Sequence, residues 1–182
     1  MQDDSGRTET VLDEYGQGTR SVYDGGGRLE RSERLDATGR VIGASHFTYD
    51  ALGRKIAEVS ARGIKTNYYY DTLGHNTETI VTTPDGVEMV TRTGYDNAGR
   101  QAWTWQAGET GPGSYTRFIY DPFGRPEYTY YACPDLNSFG DSFTRVQYNE
   151  QGLRWKETYE EGSVTEYHYD SKGTVLLLFS GS

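Results

Sequence analysis

The sequence is short of the residues that build an ordinary two-layer core. Leu, Ile, Val and Phe together supply only about a sixth of its 182 residues, and the formal net charge is −9. Those two features alone are typical of disordered chains. Sixteen Tyr and three Trp reverse that interpretation, because aromatic side chains bring both buryable area and strand propensity. We therefore expect an ordered sheet with one aromatic face and water on the other.

Other absences exclude whole classes of protein. With Cys133 as its one cysteine, the chain has no internal disulfide framework. The longest apolar run, 175–179, is too short to span a bilayer, and we expect no signal peptide at Met1–Ser5 because this stretch has no apolar segment. No segment shows the stripe and caps of a helix. The acidic balance argues against a nucleic-acid partner, since phosphate contacts need clustered Lys and Arg.

What the sequence has in abundance is a short repeat. An acidic residue or Asn is followed three positions later by Gly ten times, and a Tyr directly precedes seven of these copies. Asp at the first position of a type I turn and Gly at the fourth are favoured, because the carboxylate accepts a backbone N–H two residues on and Gly adopts the left-handed conformation. The seven copies with Tyr contain Tyr23, Asp24, Gly27 and Arg28; Tyr49, Asp50, Gly53 and Arg54; Tyr70, Asp71 and Gly74; Tyr95, Asp96, Gly99 and Arg100; Tyr120, Asp121, Gly124 and Arg125; Tyr148, Asn149 and Gly152; and Tyr169, Asp170 and Gly173.

The spacing of the copies predicts how the strands are connected. Up to residue 50 the copies are spaced for a single strand plus a turn, and over 51–182 they recur every 21–28 residues, which is one hairpin each. We expect a single domain of about fifteen strands, in an all-β meander of antiparallel hairpins. The longer intervals contain second turns at Arg62-Gly63, Pro84-Asp85-Gly86, Gly111-Pro112-Gly113, 134–140 and Glu161-Gly162.

The strands that enter the turns alternate with period two. The pattern Thr66/Tyr68/Tyr70 recurs at 116–120, 144–148 and 165–169, with polar residues between, so one face is aromatic and the other largely polar. The early strand 29–35 is charged on both faces and is expected to be solvated.

An aromatic cluster is the best candidate for a binding surface. Its members fall on consecutive predicted strands, which lie about 4.8 Å apart in a sheet. Two interpretations stay open: the rings bind a glycan or a peptide, or they form the hydrophobic face of the sheet and stack across strands. The cluster consists of Trp103, Trp105, Tyr128, Tyr130 and Tyr131.

Candidates for chemistry are weak by comparison. The three His residues lie on different repeats without a Cys or His at ligand spacing, so no metal site is expected, and no cofactor. Asp and Arg four apart, as in Asp50 and Arg54, could bind an anion, but Asp more simply organises its turn while Arg packs over a neighbouring Tyr or pairs with a carboxylate of the next turn. Ser, His and Asp form no nucleophile motif, and we expect no enzyme.

The Tyr-Asp-x-x-Gly-Arg turns, with strands such as Thr66-x-Tyr68-x-Tyr70 leading into them, resemble the YD repeats of the RHS family over nearly the whole chain. The resemblance implies a sheet of hairpins that coils into a β-shell whose repeats are walls rather than catalysts. About fifteen strands are far fewer than such closed shells use, so we expect an open segment of a shell. Such shells enclose toxic polypeptides in bacterial toxins, and related repeats occur in teneurins. A secreted or cell-surface location is implied in the same way.

The last predicted strand has an apolar edge. Leu176 and Leu178 lie on it, and folded proteins normally pair or cover such an edge. We expect either a continuation of the same shell or a second copy of the chain to pair there. An enclosed polypeptide and a glycan are the other expected partners.

Overall fold

The computed structural model describes residues 6–107, 113–140 and 142–181, with the backbone alone at 177 and 179. This part of the chain contains strands and turns and no helix. The fifteen strands are β1 (Thr8–Leu12), β2 (Gly18–Tyr23), β3 (Leu29–Leu35), β4 (Val41–Tyr49), β5 (Lys55–Val59), β6 (Lys65–Tyr70), β7 (Asn76–Thr82), β8 (Glu88–Tyr95), β9 (Gln101–Gln106), β10 (Ser114–Tyr120), β11 (Pro126–Cys133), β12 (Ser142–Tyr148), β13 (Arg154–Tyr159), β14 (Val164–Tyr169) and β15 (Val175–Gly181).

The strands form one open antiparallel sheet whose order follows the chain from β1 to β15. The prediction of an all-β meander is therefore confirmed. Each Tyr-Asp turn is followed by a register shift of one residue; Thr48 pairs with Ala57, for example, while the next residue, Tyr49, pairs with Lys55. The left-handed Gly does not produce this shift by itself, because the turns at Asp13 and Ser60 have a left-handed Gly and the same backbone bonds but no register shift.

Two kinds of turn alternate along the sheet. All seven Tyr-Asp turns follow an even-numbered strand, whereas the turns that begin at Asp13, Asp36, Ser60, Thr83 and Tyr159 follow an odd-numbered one. Because neighbouring strands are antiparallel, the Tyr-Asp turns within each part of the sheet lie at the same end of the strands. The second turn predicted at Gly111-Pro112-Gly113 lies largely outside the described residues.

The chain divides into two compact units, Met1–Val90 and Thr91–Ser182. In the described residues of both units, the only apolar side chains that are fully buried are Leu35 and Cys133, at 4% and 0% exposure. Most aromatic residues are half-buried instead. Stability thus comes from contacts between neighbouring strands rather than from a second layer.

The strand β3 differs from the expectation of a solvated wall. Glu33 is only 4% exposed, and Leu35 beside it is buried. The Glu33 carboxylate pairs with the guanidinium groups of Arg20, on the neighbouring strand, and of Arg31, at 3.0 Å. Two cations replace the water that Glu33 loses, which explains how this carboxylate can be buried in a strand that is otherwise partly exposed.

Candidate functional site

The Tyr-Asp turn is built around one carboxylate. Asp50 Oδ1 accepts the backbone N–H groups of Leu52 and Arg54, both at 2.9 Å, while the Gly53 N–H donates to the Asp50 carbonyl at 3.0 Å. Gly53 has φ +80°, a conformation that strains any residue with a Cβ. The same pattern recurs at every Tyr-Asp turn, so one side-chain oxygen of the Asp, or of Asn149, is engaged by the backbone of its own turn.

The Arg of each full copy connects its turn to the next repeat. Arg54 Nε donates to Asp50 Oδ2 at 2.7 Å, and its guanidinium lies 4.7 Å from the ring centroid of Tyr70, one hairpin further along. Arg54 Nη1 also donates to the Asp71 carbonyl at 3.4 Å. The Arg therefore packs over the neighbouring Tyr, and the carboxylate with which it pairs belongs to its own turn. The other Arg–Tyr distances are 5.2 Å for Arg28 and Tyr49, 4.3 Å for Arg100 and Tyr120, and 4.2 Å for Arg125 and Tyr148.

The Tyr hydroxyl completes the connection. Tyr70 Oη donates to the carbonyl of Lys55 at 2.7 Å, and Lys55 is the residue directly after Arg54. We call this unit, an Asp and Arg of one repeat with the Tyr of the next, the Tyr-Asp joint. The same hydroxyl-to-carbonyl bond joins Tyr49 to Leu29 (2.9 Å), Tyr120 to Gln101 (2.7 Å), Tyr148 to Pro126 (2.7 Å) and Tyr169 to Arg154.

The electrostatics of the joint follow from these contacts. The hydrogen bond from the Arg100 side chain, helped by backbone N–H donors, lowers the pKa of Asp96. The backbone N–H of Arg28, and then its side chain, lower the pKa of Asp24 in the same way. Burial raises the pKa of Tyr120 and of Tyr148.

Three copies lack the Arg but keep the turn. His75 Nδ1 lies 2.9 Å from Asp71 Oδ2, in the place of the guanidinium. Asn149 Oδ1 accepts the N–H groups of Gln151 and Leu153 at 3.0 and 2.9 Å, which shows that an amide oxygen suffices for the backbone bonds.

Sequence analysis missed a buried carboxylate cluster in β13 and β14. Glu157 is 8% exposed, and its carboxylate accepts from Arg154 Nη1 at 2.6 Å, Tyr167 Oη at 2.7 Å and Tyr159 Oη at 3.2 Å. The hydrogen bond to Glu157 and burial raise the pKa of Tyr167. No described residue group here resembles a metal site, since a single carboxylate is surrounded by donors.

A related cluster lies ninety-nine residues earlier, in the other hairpin with 21-residue spacing. Lys55 Nζ donates to Glu58 at 2.5 Å and lies 4.9 Å from the Tyr68 ring centroid. The hydrogen bond to Glu58 raises the pKa of Lys55. The shared pattern of a cation, then Glu three residues on, then Thr-x-Tyr-x-Tyr was visible in the sequence once the two hairpins were aligned.

The structure brings together four of the five aromatic residues of the predicted cluster. Trp103, Trp105, Tyr128 and Tyr130 share one face of β9–β11, because Trp103 pairs with Arg117 and Arg117 with Tyr130. Tyr131 is the next residue in β11 and points to the opposite face, where it is 42% exposed. The polar face expected in this region therefore carries aromatic rings as well.

The rings in this cluster already have partners on their flat sides. A Cβ at Gly94 would lie 2.2 Å from the Trp103 indole, and one at Gly113 would lie 2.5 Å from that of Trp105, so each indole packs closely against a glycine. Arg92 stacks on Trp105 with its guanidinium carbon 5.1 Å from the ring centroid.

Two further observations concern the last strand of the sheet and a possible membrane span. Leu176 and Leu178 of β15 are 65% and 57% exposed, at the end of the strand order. Among the described residues there is no helix long and apolar enough to cross a membrane.

Comparison of folds, rather than of sequences, shows known proteins that are similar to this chain. Neither the protein-family models nor the curated proteins give a match. Among solved structures, the chain is similar to crystal structures of TcdB2-TccC3 without its hypervariable C-terminal region and of TcdB2-TccC3-Cdc42, each with 15% identity and a TM-score of 0.69 over 96% of this chain. A further TcdB2-TccC3 crystal structure gives 16% identity and the same TM-score. The chain spans about a tenth of the length of these structures, and the likeness shows that its sheet has the fold of that stretch.

Proposed function

We propose that this chain is a wall segment of an RHS-type β-shell, a non-catalytic scaffold that encloses or displays another polypeptide in a toxin-associated protein. One observation carries the proposal: the polar groups of the repeated residues already form hydrogen bonds within the chain itself. In each full joint the Asp oxygens, the Arg and the Tyr hydroxyl all bind neighbouring parts of the sheet, as in Asp50, Arg54 and Tyr70. A motif that served a ligand would leave some of these groups available.

Two independent lines support this proposal. The Tyr-Asp-x-x-Gly-Arg motif resembles the YD repeats of RHS shells, and the fold is similar to that of a stretch of TcdB2-TccC3. Because that stretch is about a tenth of the longer chain, a sheet continuing at β15, or a second copy there, belongs to the proposal. A secreted or cell-surface setting belongs to it as well.

The proposal is tested by protease protection. A flexible reporter polypeptide with an epitope is fused after Ser182, and its half-life in proteinase K is compared with that of the same reporter alone. A wall that shields a polypeptide lengthens the half-life, and breaking one joint with Arg54→Ala and Tyr70→Ala shortens it again. Tyr69→Ala is the matched control, since Tyr69 is 49% exposed and takes no part in a joint. Equal half-lives in all fusions would contradict the proposal.

A further inference from the structure

A groove in the first unit crosses β2, β3 and β4 and ends at the turn after β5. Arg34 pairs across strands with Gly43, and Ser32 pairs with Ser45, so these four residues share one face of β3 and β4. The volume of the groove is about 280 Å³. We call it the Arg34–Arg62 groove; it is lined by Thr19, Ser32, Glu33, Arg34, Ile42, Gly43, Ser45, Ala61 and Arg62.

Small residues create the space between the two arginines. Gly43 has no side chain opposite Arg34, and a Cβ built there would lie 3.3 Å from the Cβ of Ala61. Ser45 Oγ accepts the backbone N–H of Ala61 at 3.2 Å, which bonds the turn that carries Arg62 to β4. The Ser45 hydroxyl still has its own proton to donate, because an oxygen that accepts one bond keeps its O–H.

Both guanidinium groups of the groove are exposed and unpaired. Arg34 lies in β3 and Arg62 in the turn after β5, and both side chains are exposed to solvent. Neither has a carboxylate at ion-pair distance, a hydrogen-bond acceptor or a stacked ring in the part of the chain that the structure describes. In this they differ from the arginines of the Tyr-Asp joints, which bind an Asp and a Tyr.

The nearby carboxylates are engaged elsewhere. Glu33 is the one carboxylate among the described residues that line the groove, and it is 4% exposed and paired with Arg20 and Arg31. Asp13 lines the adjoining cavity together with Arg34, and its Oδ1 accepts the backbone N–H groups of Tyr15 and Gln17, both at 2.9 Å. The groove therefore offers a ligand two positive charges, although the whole chain has a net charge of −9.

The donors of the groove match a phosphate monoester. Such an ester carries nearly two negative charges at pH 7 and has three strong acceptor oxygens. A guanidinium binds phosphate oxygens through two parallel N–H bonds, and the hydroxyls of Ser32 and Ser45 add further donors beside Arg34. A carboxylate brings one charge and would leave one of the two arginines without a counterion.

The size of the groove points to a small molecule. At about 30 Å³ per water molecule, its 280 Å³ holds the volume of about nine waters. We infer that the Arg34–Arg62 groove binds a small phosphate monoester, with one guanidinium on each side of the phosphate and the Ser hydroxyls beneath it. This inference does not depend on the proposed function, because a wall segment needs no ligand here.

Binding is tested by NMR titration of the isotope-labelled whole chain with glycerol 3-phosphate at low salt. We expect saturable shifts of the amide signals of Arg34, Gly43 and Ala61. Shifts confined to other parts of the chain, or none, would overturn the inference. This readout needs no variant.

Substitutions then assign the contacts. Arg34→Gln and Arg62→Gln each remove one charged donor, and we expect the Kd to rise about tenfold in each and urea midpoints to stay at the wild-type value. Arg40→Gln/Lys65→Gln is the matched control, because it removes two charges at exposed positions of the same unit outside the lining of the groove. An equal rise of the Kd in this control would show a general charge effect and overturn the inference.

Comparison of anions tests the charge that the groove selects. At pH 5 about a tenth of the ester is dianionic, because its second pKa is about 6, so we expect binding up to about tenfold weaker than at pH 7.5. Sulfate is a dianion at both pH values and is expected to bind equally at both. Acetate bound as tightly as the ester, or a loss of sulfate binding at pH 5 as large as that of the ester, would overturn the inference.

The source of the phosphate is tested in the same way. A phosphoserine peptide is expected to bind no more tightly than glycerol 3-phosphate, since the groove has room for the phosphate and a few carbon atoms. A peptide that bound more tightly would assign the groove to a phosphorylated polypeptide and overturn the inference of a small-molecule site.

Discussion

At the scale of single residues, each member of the joint has a different task. Asp closes the turn, Gly permits it, Arg spans to the next repeat and Tyr ties that repeat back through its hydroxyl. Because the tasks are distinct, conservative substitutions separate them. The natural variation among the copies already does so in part, since Asn149 closes its turn without an Arg partner.

The Tyr hydroxyl is tested by Tyr70→Phe. This change removes the bond to the Lys55 carbonyl but leaves the ring beneath Arg54, and it leaves a carbonyl without its donor. We expect a loss of about 1 kcal/mol in the free energy of unfolding, measured with urea. Tyr69→Phe, at the adjacent half-exposed position, is the control and should cost nothing measurable. Equal stabilities of the two variants would show that the Tyr70 hydroxyl does not stabilise the joint.

The carboxylate is tested by a pair of substitutions at Asp96. Asp96→Asn keeps an oxygen for the N–H groups of Ala98 and Arg100 and loses the ion pair, whereas Asp96→Ala loses both. We therefore expect the Asn variant to be less stable than the wild type and more stable than the Ala variant in urea titrations. Asn as destabilising as Ala would mean that the ion pair, not the turn, is what the Asp supplies.

The lowered pKa values of Asp24 and Asp96 predict how stability depends on pH. A carboxyl with a lower pKa in the folded state than in the unfolded state stabilises the fold above the unfolded value, and that stability is lost as pH falls through the folded value. We expect constant urea midpoints from pH 7 to about pH 4 and a decline below it, smaller in Asp96→Asn. A midpoint that does not change down to pH 3 would contradict this.

At the scale of elements, the hairpin is the unit that the sequence specifies well. Asp-x-x-Gly is a local signal, so turns, strand number and the meander follow from it. Contacts between hairpins depend on register, and each Tyr-Asp turn is accompanied by a register shift of one residue. The grouping of Tyr131 with Tyr130 has a simpler cause: the cluster was predicted from strand neighbourhood alone, whereas consecutive residues of one strand point to opposite faces.

One irregular element had no sequence signal. Ala132 has φ +51°, the one positive value outside glycine among the described residues. It lies in a register shift where Tyr115 pairs with Cys133 but Arg117 pairs with Tyr130. Cys133 is thereby turned into the sheet, where its Sγ accepts the N–H of Gly140 at 3.1 Å. Neither the bulge nor this burial can be derived from the types of these residues.

The buried carboxylate of the β13–β14 hairpin gives a prediction at this scale. Glu157→Gln leaves Arg154 and two Tyr hydroxyls around an amide, and we expect a loss of about 2–4 kcal/mol in unfolding free energy. Glu160→Gln, at the exposed tip of the same hairpin, is the control and should be within about 0.5 kcal/mol of the wild type. Similar costs for the two variants would show that the cluster does not stabilise the hairpin.

At the scale of the whole molecule, the joints make stability a property shared by neighbouring repeats. A sheet with two fully buried apolar side chains among its described residues has no common core through which distant strands could support each other. Each hairpin is instead held by the hairpins on either side, as in other repeat proteins with nearest-neighbour coupling. Under the proposed function, the motif is a structural connection that recurs with each repeat.

Hydrogen–deuterium exchange across the chain, in the wild type and in Arg54→Ala/Tyr70→Ala, tests this claim most directly. If the joint connects repeats, breaking it speeds amide exchange in both hairpins that it ties together, β4–β5 and β6–β7, and leaves β9–β14 unchanged. Faster exchange confined to the side-chain neighbours of residue 70, with both hairpins as protected as in the wild type, would contradict the account.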